Sequence, residues 1–384
     1  MTAPSLRVVC ALDSFKGSLS SDEACAAARA GVLDALPGAD VVSAPLADGG
    51  EGTVAAMAAR GRLSAAPTHT LLGEPIEAPV AVLPEAIVLE SAAMLSLAQL
   101  GAPTPSAARA AHSWGLGEQL ASAGRAFAPR RALIGLGGTG ITDGGVGFLL
   151  ALGAQMWDAQ GNPLPRSLAE LAGNPLLLRP VEVSLPPRPA WDLIGLADVR
   201  APLLGPAGAA RVFGPQKGAD AALVEELEDA MEGWARALAD AGADVAHLPG
   251  AGAAGGLGAA ILALEGTLEP GLRRIAAETG AMRHLAEADL VLTGEGRVDG
   301  QTGMGKLPAE VGALAKESAA PGHSPVVVAL AGTVEGHPGG PIDAAVPIHA
   351  GPLALAEAMR PDVAAAAIRE SAARVTRLVV AARG

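Results

Sequence analysis

The stretch DLVLTGEGRVDGQTGMGKLP, Asp289 to Pro308, decides how the chain is read. An apolar run of strand character, Leu290 to Leu292, opens into a loop in which Gly294, Gly296, Gly300, Gly303 and Gly305 surround Glu295, Arg297, Asp299 and Lys306. A helix-compatible segment follows. Glycines let backbone N–H groups come close to a ligand, and the charged side chains offer phosphate ligands and carboxylates for a divalent ion. The first reading is therefore a nucleotide or phosphate loop at a strand end. Two others stay open. Gly300 and Gly305-Lys306 satisfy G-x-x-x-x-G-K, but Leu307 stands where a P-loop has the Ser or Thr that holds Mg²⁺. A glycine-rich protein can also carry such a stretch as a plain surface loop.

The same grammar recurs at the amino-terminal end. LRVVCAL (6–12) reads as a buried strand ending at Asp13-Ser14-Phe15-Lys16-Gly17-Ser18. Ser20 with Glu23 makes a capping box for a helix to about Leu36, stopped by Pro37-Gly38. A second strand, DVVSAPL (40–46), ends in Ala47-Asp48-Gly49-Gly50-Glu51-Gly52-Thr53, and a helix follows to about Arg60. Lys16, Asp48 and Glu51 thereby fall at strand carboxyl ends, where open α/β sheets bind ligands. After Asp289 the alternation returns, with strands at 289–293, 325–332 and 343–348 and helices at 308–318 and toward the end. From about Pro67 to Asp289 the pattern is different: short strands with Gly/Pro turns, helices and long glycine loops, as in a mixed sheet. The economical fold class is α/β. A discontinuous, Rossmann-like doubly wound domain (1–66 and 287–384) carries a second, inserted α/β domain (67–286), and a cleft between them is the expected active site.

Composition narrows the function classes. A chain of 384 residues has the length of two domains. A net charge of -13 leaves no basic face for nucleic acid, so an anionic ligand must be held by local cations. Two cysteines, Cys10 and Cys25, make neither a disulfide framework nor a zinc site, and no apolar stretch reaches 18 residues, so the expectation is a cytoplasmic protein without signal peptide or membrane span. Only four of the 27 basic residues are Lys, and Lys16, Lys217 and Lys306 each adjoin a glycine. A compact ammonium used as a point charge on phosphate is one reason to keep Lys there.

The inserted segment adds three loops of the same design. Gly135-Leu136-Gly137-Gly138-Thr139-Gly140 follows a strand-like run and satisfies G-x-G-x-x-G, with Asp158 near the distance of a ribose contact. It continues through Thr142-Asp143-Gly144-Gly145, which suits a substrate or phosphate loop better than a dinucleotide fingerprint. Asp198 follows another apolar run, Arg200 comes two residues later, and Phe213 to Lys217 is a rigid turn presenting a lysine. PGAGAAGGLGAAIL (249–262) runs glycines into a helix amino end, which favours an anion.

With these residues in hand, the chain resembles the class I glycerate kinase family. DSFKGSLS (13–20), PLADGGEGT (45–53), GLGGTGITDGGVG (135–147), DVRAPLLGPAGAARVFGPQKGA (198–219), PGAGAAGGLG (249–258) and LTGEGRVDGQTGMGK (292–306) carry the resemblance, in order, across residues 6 to about 335. It implies ATP- and Mg²⁺-dependent phosphorylation of D-glycerate to 2-phosphoglycerate or 3-phosphoglycerate, and a flavodoxin-like domain with an inserted α/β domain. Small molecules, D-glycerate and ATP, are then the partners, with no nucleic acid and no membrane; a homo-oligomer is compatible with the sequence.

Phosphoryl transfer requires positioning and charge neutralisation more than covalent chemistry. Lys16, Lys217, Arg297 and Lys306 are expected on phosphates or the glycerate carboxylate, with Gly255, Gly256, Gly294, Glu295 and Gly303 lining the nucleotide. Ser14, Lys16, Thr139, Asp143 and Arg200 are expected at the substrate, and Asp48, Glu51 and Asp299 at the metal. Asp198 is the expected base, with Asp48 in reserve. A nicotinamide-dependent dehydrogenase using Gly135 to Gly140, and a non-catalytic nucleotide- or sugar-acid-binding regulator, are the alternatives.

Overall fold

Residues 7–12 are apolar after the first, so this segment needs cover on both faces, which a parallel sheet between helices provides. The computed structural model of the protein describes residues 6–299, 307–336 and 338–383. Its strands are, in chain order, β1 (Arg7–Leu12), β2 (Asp40–Ser43), β3 (Arg62–His69), β4 (Pro75–Val82), β5 (Ala86–Glu90), β6 (Arg131–Gly135), β7 (Gln155–Trp157), β8 (Glu182–Ser184), β9 (Asp192–Leu196), β10 (Thr267–Glu269), β11 (Leu290–Val298), β12 (Val326–Val334) and β13 (Ala344–Pro347). The chain forms two compact units, Met1–Ala47 with Leu272–Gly384, and Asp48–Gly271. Sequence reading put the breaks at 66/67 and 286/287. They fall earlier because the helix Thr53–Ala58 packs on β4 and β5, and because the helix Ala281–Ala286 packs on the helix Leu307–Ser318.

The first unit is a five-stranded sheet in the order β13-β12-β11-β1-β2, parallel throughout. This is the flavodoxin order 2-1-3-4-5, and strand order reverses between β1 and β11. On one face β1, β11 and β12 pack against the helices Ser21–Ala35 and Pro361–Arg383 through Cys10, Leu12, Leu292, Ala28 and Ile368. On the other, Val298, Ala329 and Ala331 meet Ala309 of the helix Leu307–Ser318. The capping box forms as read: Ser20 N–H donates to Glu23 Oε2 at 2.8 Å and Glu23 N–H to Ser20 Oγ at 3.3 Å. One expectation is corrected. β11 does not end at Thr293 but continues to Val298, because β12 extends alongside it and pairs Glu295 with Ala331 and Arg297 with Thr333. Gly294, Glu295 and Arg297 are thus strand residues, not loop residues.

The second unit holds a six-stranded mixed sheet in the order β10-β9-β6-β5-β4-β3. β5, β6, β9 and β10 are mutually parallel, whereas β4 runs antiparallel to both its neighbours. The parallel strands aim Glu90, Gly135, Leu196 and Glu269 at one edge. Trp234 of the helix Ala221–Asp240 is fully buried in the core and donates to Gly144 O at 3.0 Å. The segment 180–189 contains β8, which pairs with β7. Among the described residues no helix is long and apolar enough to cross a membrane.

The helices Ser21–Ala35 and Pro361–Arg383 touch at Gly31, where a Cβ would overlap the Arg369 carbonyl oxygen. The Arg369 guanidinium grips Asp34 with two bonds, at 2.6 and 2.9 Å, one turn away. A side chain at 31 gains at most about 1 kcal/mol of helix propensity, less than the separation of two packed backbones costs. Gly31→Val is therefore expected to destabilise by about 2 kcal/mol, read as a lower urea midpoint at unchanged slope.

Candidate functional site

At the carboxyl edge of the second sheet, two aspartates come together. Asp198 lies two residues beyond β9, where Gly271 N–H donates to its Oδ1 at 3.0 Å. Asp48 opens the loop before the helix Thr53–Ala58 and accepts from Gly50 N–H at 2.9 Å. That loop rests directly on strand ends. Gly137 N–H donates to Gly49 O at 3.0 Å, a Cβ on Gly137 would sit 2.6 Å from Gly50 Cα, and one on Gly271 would overlap the Asp48 carbonyl oxygen. Asp198 keeps an exposed surface, yet the atoms crowded about its carboxyl push its pKa up to about 6, the Asp48 charge adding to the rise and the Gly271 N–H opposing it. A group so tuned is ionised at neutral pH and more basic than an ordinary aspartate.

The loop is held from behind by Glu90, which sequence reading passed over. Its carboxylate is buried and accepts from Val54 N–H at 2.9 Å at the amino end of the helix Thr53–Ala58. Burial raises its pKa, the exposed Glu51 adds to the rise, and the N–H groups of Val54, Gly52 and Thr53 oppose it. The only sign in the sequence is an acidic residue closing the apolar run AIVLE.

A second group of candidates is buried within the same unit. The Asp143 carboxylate accepts from Ser113 N–H and Oγ at 2.7 Å each, Gly145 N–H at 3.1 Å and Gly147 N–H at 3.2 Å. Lys217, 4 % exposed, donates to Ile141 O at 2.6 Å, with Thr139 Oγ1 at 3.4 Å. Burial lowers its pKa to about 8, and Asp143 pulls the other way. His112, whose pKa burial likewise lowers, lies close enough to feel the Asp143 charge. Asp143, Thr139 and Lys217 thus spend their polar atoms on the loop itself. Ser113 and His112 carried no signal in the sequence.

Glycine runs proposed for nucleotides are partly used for packing. Gly255 and Gly256 are buried, with φ of 68° and 103°, and Gly144 N–H donates to Gly255 O at 2.9 Å. A Cβ on Gly256 would lie 2.5 Å from Gly144 Cα. In the G-x-G-x-x-G run, no helix opens after Gly140; the next begins at Val146. Gly137 is committed to the Asp48 loop, so the dinucleotide fingerprint lacks its structural context.

In the first unit, Lys16 is exposed on a turn closed by Leu19 N–H to Phe15 O at 3.0 Å, and Ser14 is half-buried just before it. Arg297 Nη2 meets Glu335 Oε2 at 2.7 Å, and Arg297 Nε lies 3.7 Å from Asp299 Oδ2. Gly294 is buried in β11, where Asp13 N–H donates to its carbonyl at 2.9 Å; Glu295 is half-buried in the same strand. Gly303 and Lys306 lie outside the described residues. Arg200 is exposed two residues beyond Asp198.

Asp48 and Asp198 fit a hard divalent cation. Their mutual repulsion falls when a cation joins them, and Mg²⁺ needs only one or two protein carboxylates beside water and phosphate oxygens. Among the described residues no group of three or more His, Cys, Asp or Glu is placed to hold a metal alone.

A flavodoxin-order sheet in one unit, and a mixed sheet with carboxylates at its strand carboxyl ends in the other, make an α/β protein suited to phosphoryl transfer. The sequence profile of the glycerate kinase family matches residues 8–380, and the chain belongs to that family. It is 37 % identical over 332 residues to the glycerate 2-kinase of Escherichia coli K12, with 84 % of each chain covered. It is 35 % identical over 345 residues to the glycerate kinase of Bacillus subtilis 168, with 86 % of this chain and 85 % of that one covered. The crystal structure of a protein assigned as glycerate kinase 2 from Salmonella typhimurium LT2 superposes with a TM-score of 0.81 at 33 % identity, covering 99 % of both chains.

The buried network makes two predictions. Asp143→Asn turns an amide N–H₂ toward N–H donors and strips Lys217 of its counter-charge, so it is expected to cost about 3 kcal/mol in urea unfolding. The second concerns Lys217 and alkaline pH. Between about 8 and 10.5 the unfolded chain keeps the lysine proton and the folded chain does not, so this residue makes stability rise with pH across that window. Lys217→Met is expected to remove that rise, seen as a difference between two pH–stability curves.

Proposed function

We propose that this enzyme transfers the γ-phosphoryl group of ATP to a hydroxyl of D-glycerate, releasing ADP and 2-phosphoglycerate or 3-phosphoglycerate. Membership of the glycerate kinase family supports the acceptor. The observation that carries the chemistry is the Asp48 and Asp198 pair at one strand edge. Asp198 accepts the proton of the attacking hydroxyl; its raised pKa suits that transfer, and Gly271 N–H fixes which carboxylate oxygen stays free. Asp48, with Glu51 and Asp299 as further candidates, holds Mg²⁺. Held there, the ion would supply positive charge against the phosphate oxygens.

Lys16 is the exposed ammonium suited to a phosphate or to the glycerate carboxylate. Lys217, Thr139 and Asp143 support the reaction indirectly, by fixing the loop 135–147. Arg200 is the candidate for orienting the glycerate carboxylate, and Arg297 and Lys306 for the nucleotide phosphates. The enzyme is proposed to be cytoplasmic, meeting small molecules only.

An ADP-release assay over a panel of 2-hydroxy acids tests the reading, with D-glycerate expected to give the highest kcat/KM. Asp198→Asn is expected to lower kcat by about 10²- to 10⁴-fold while leaving the unfolding midpoint in place. Wild-type turnover in this variant would remove Asp198 from the base role.

A further inference from the structure

The first unit holds a cavity of about 180 Å³ at the carboxyl edge of its sheet. Phe15, Lys16 and Ser18, just past β1, form one side, and Gly296 of β11 with Gly332 of β12 lies opposite. Met359 reaches in from beyond β13. This is the point where strand order reverses between β1 and β11, the position at which open α/β sheets leave a crevice for a ligand. We infer that this cavity receives the heterocyclic base of the donor nucleotide; the inference rests on the reading of the donor as a nucleoside triphosphate.

The glycines point to a ligand. A Cβ on Gly296 would meet no atom of the described residues within 4 Å, so no packing contact among them requires glycine at this place in the strand. Glycine inside a strand weakens it, and it recurs where a ligand comes close to the backbone. A Cβ on Gly332 would lie 2.7 Å from Gly296 O, so the two glycines make a neighbouring floor without side chains. That suits the face of a flat ring. Gly17, at φ +79°, has the tip of Met359 where its own Cβ would be, 2.8 Å away, so the thioether is admitted beside the cavity.

The polar side chains of the lining are Lys16, Ser18, Thr333 and His349. Ser18 Oγ is buried and has no hydrogen-bond partner among the described residues, which leaves it able to bond a ring nitrogen or exocyclic amine. Lys16 is exposed, where a phosphate leaving the cavity would find it. Glycerate fits poorly against Phe15 and Met359. Its three carbons offer little surface to Phe15, Met359, Leu355 and the bare glycine floor, whereas a base lays two apolar faces against them and keeps a polar edge for Ser18, Thr333 and His349.

Gly296→Val tests the inference, because it fills the floor, its Cβ meets no atom of the described residues within 4 Å, and valine favours the strand conformation. Equal thermal midpoints for wild type and variant establish that the fold is kept; if the variant does not fold, Met359→Trp takes its place. The expected result is a KM for ATP raised tenfold or more, with the KM for D-glycerate within threefold of wild type. Adenosine should compete with ATP in the wild type and lose that competition in the variant, and Ser18→Ala should raise the KM for ATP by a few-fold. A raised KM for D-glycerate with ATP unaffected, or two unchanged constants, would overturn the assignment while leaving the kinase reading in place. Wild-type enzyme that uses inorganic triphosphate as well as ATP would overturn the nucleotide donor itself.

Discussion

Everything at the candidate site depends on backbone lying against backbone. The Asp48–Gly49–Gly50 loop can reach the ends of β6 and β9 only because Gly137 and Gly271 present no Cβ to it. The contact also joins the two ends of the second unit, which begins at Asp48 and finishes at Gly271. One residue serves both purposes: Gly271 gives its N–H to Asp198 and its bare α-carbon to the Asp48 carbonyl. Side chains between these segments would open the packing about Asp198 and hold the two carboxylates apart, so that both the burial that chiefly makes Asp198 unusually basic and the smaller push from the Asp48 charge would be lost.

A buried charge is tolerated when its lone pairs are met by donors, and behind the loop 135–147 the carboxylate of Asp143 is, although Thr142 Oγ1 and His112 Nδ1 nearby are buried without a partner among the described residues. Asp143 is wholly buried, and four donors converge on it. Lys217 reaches the same loop from the turn Pro215–Lys217 and bonds a carbonyl. Such a pair adds little net stability against an apolar replacement, but losing one member strands the other. What it supplies is one definite loop shape. The choice of Lys over the Arg that predominates in this chain follows from space: a compact ammonium fits among glycines, whereas a planar guanidinium with five donors would leave some unpaired.

Sequence alone revealed the fold where local signals agree with each other. The capping box at Ser20, the apolar runs of β1 and β11 and the change of pattern between the chain ends and the middle all led to the doubly wound unit with its insertion. It misplaced what depends on partners distant in the chain. The end of β11 is set by the length of β12, and the ownership of the helix Thr53–Ala58 by its packing on β4 and β5; neither can be read within the segment itself. For the site, the pairing of Asp and Lys with glycine correctly marked Asp48, Asp198 and Lys16 as strand-end residues. The same signal also marked Asp143, Lys217, Gly255 and Gly256, which are buried, because glycine beside charge describes a polar loop whether it faces a ligand or another loop. Glu90 and Ser113 went unnoticed since a single acid or hydroxyl in an apolar stretch has no pattern until its partner arrives from 36 or 30 residues away.

What separates the two kinds of glycine is the space a side chain would enter. At Gly137, Gly256 and Gly271 that space is already filled by another backbone, so glycine is required by the protein itself and says nothing about ligands. At Gly296 the space is open among the described residues, and it belongs to a cavity at the switch point of the sheet. Keeping glycine there gives up strand stability, which other residues would restore without any clash. A loss that no packing contact explains is accounted for by something outside the chain that lies against the backbone. In a glycine-rich protein, the informative glycine is therefore one that sits inside a strand with its open side toward a cavity.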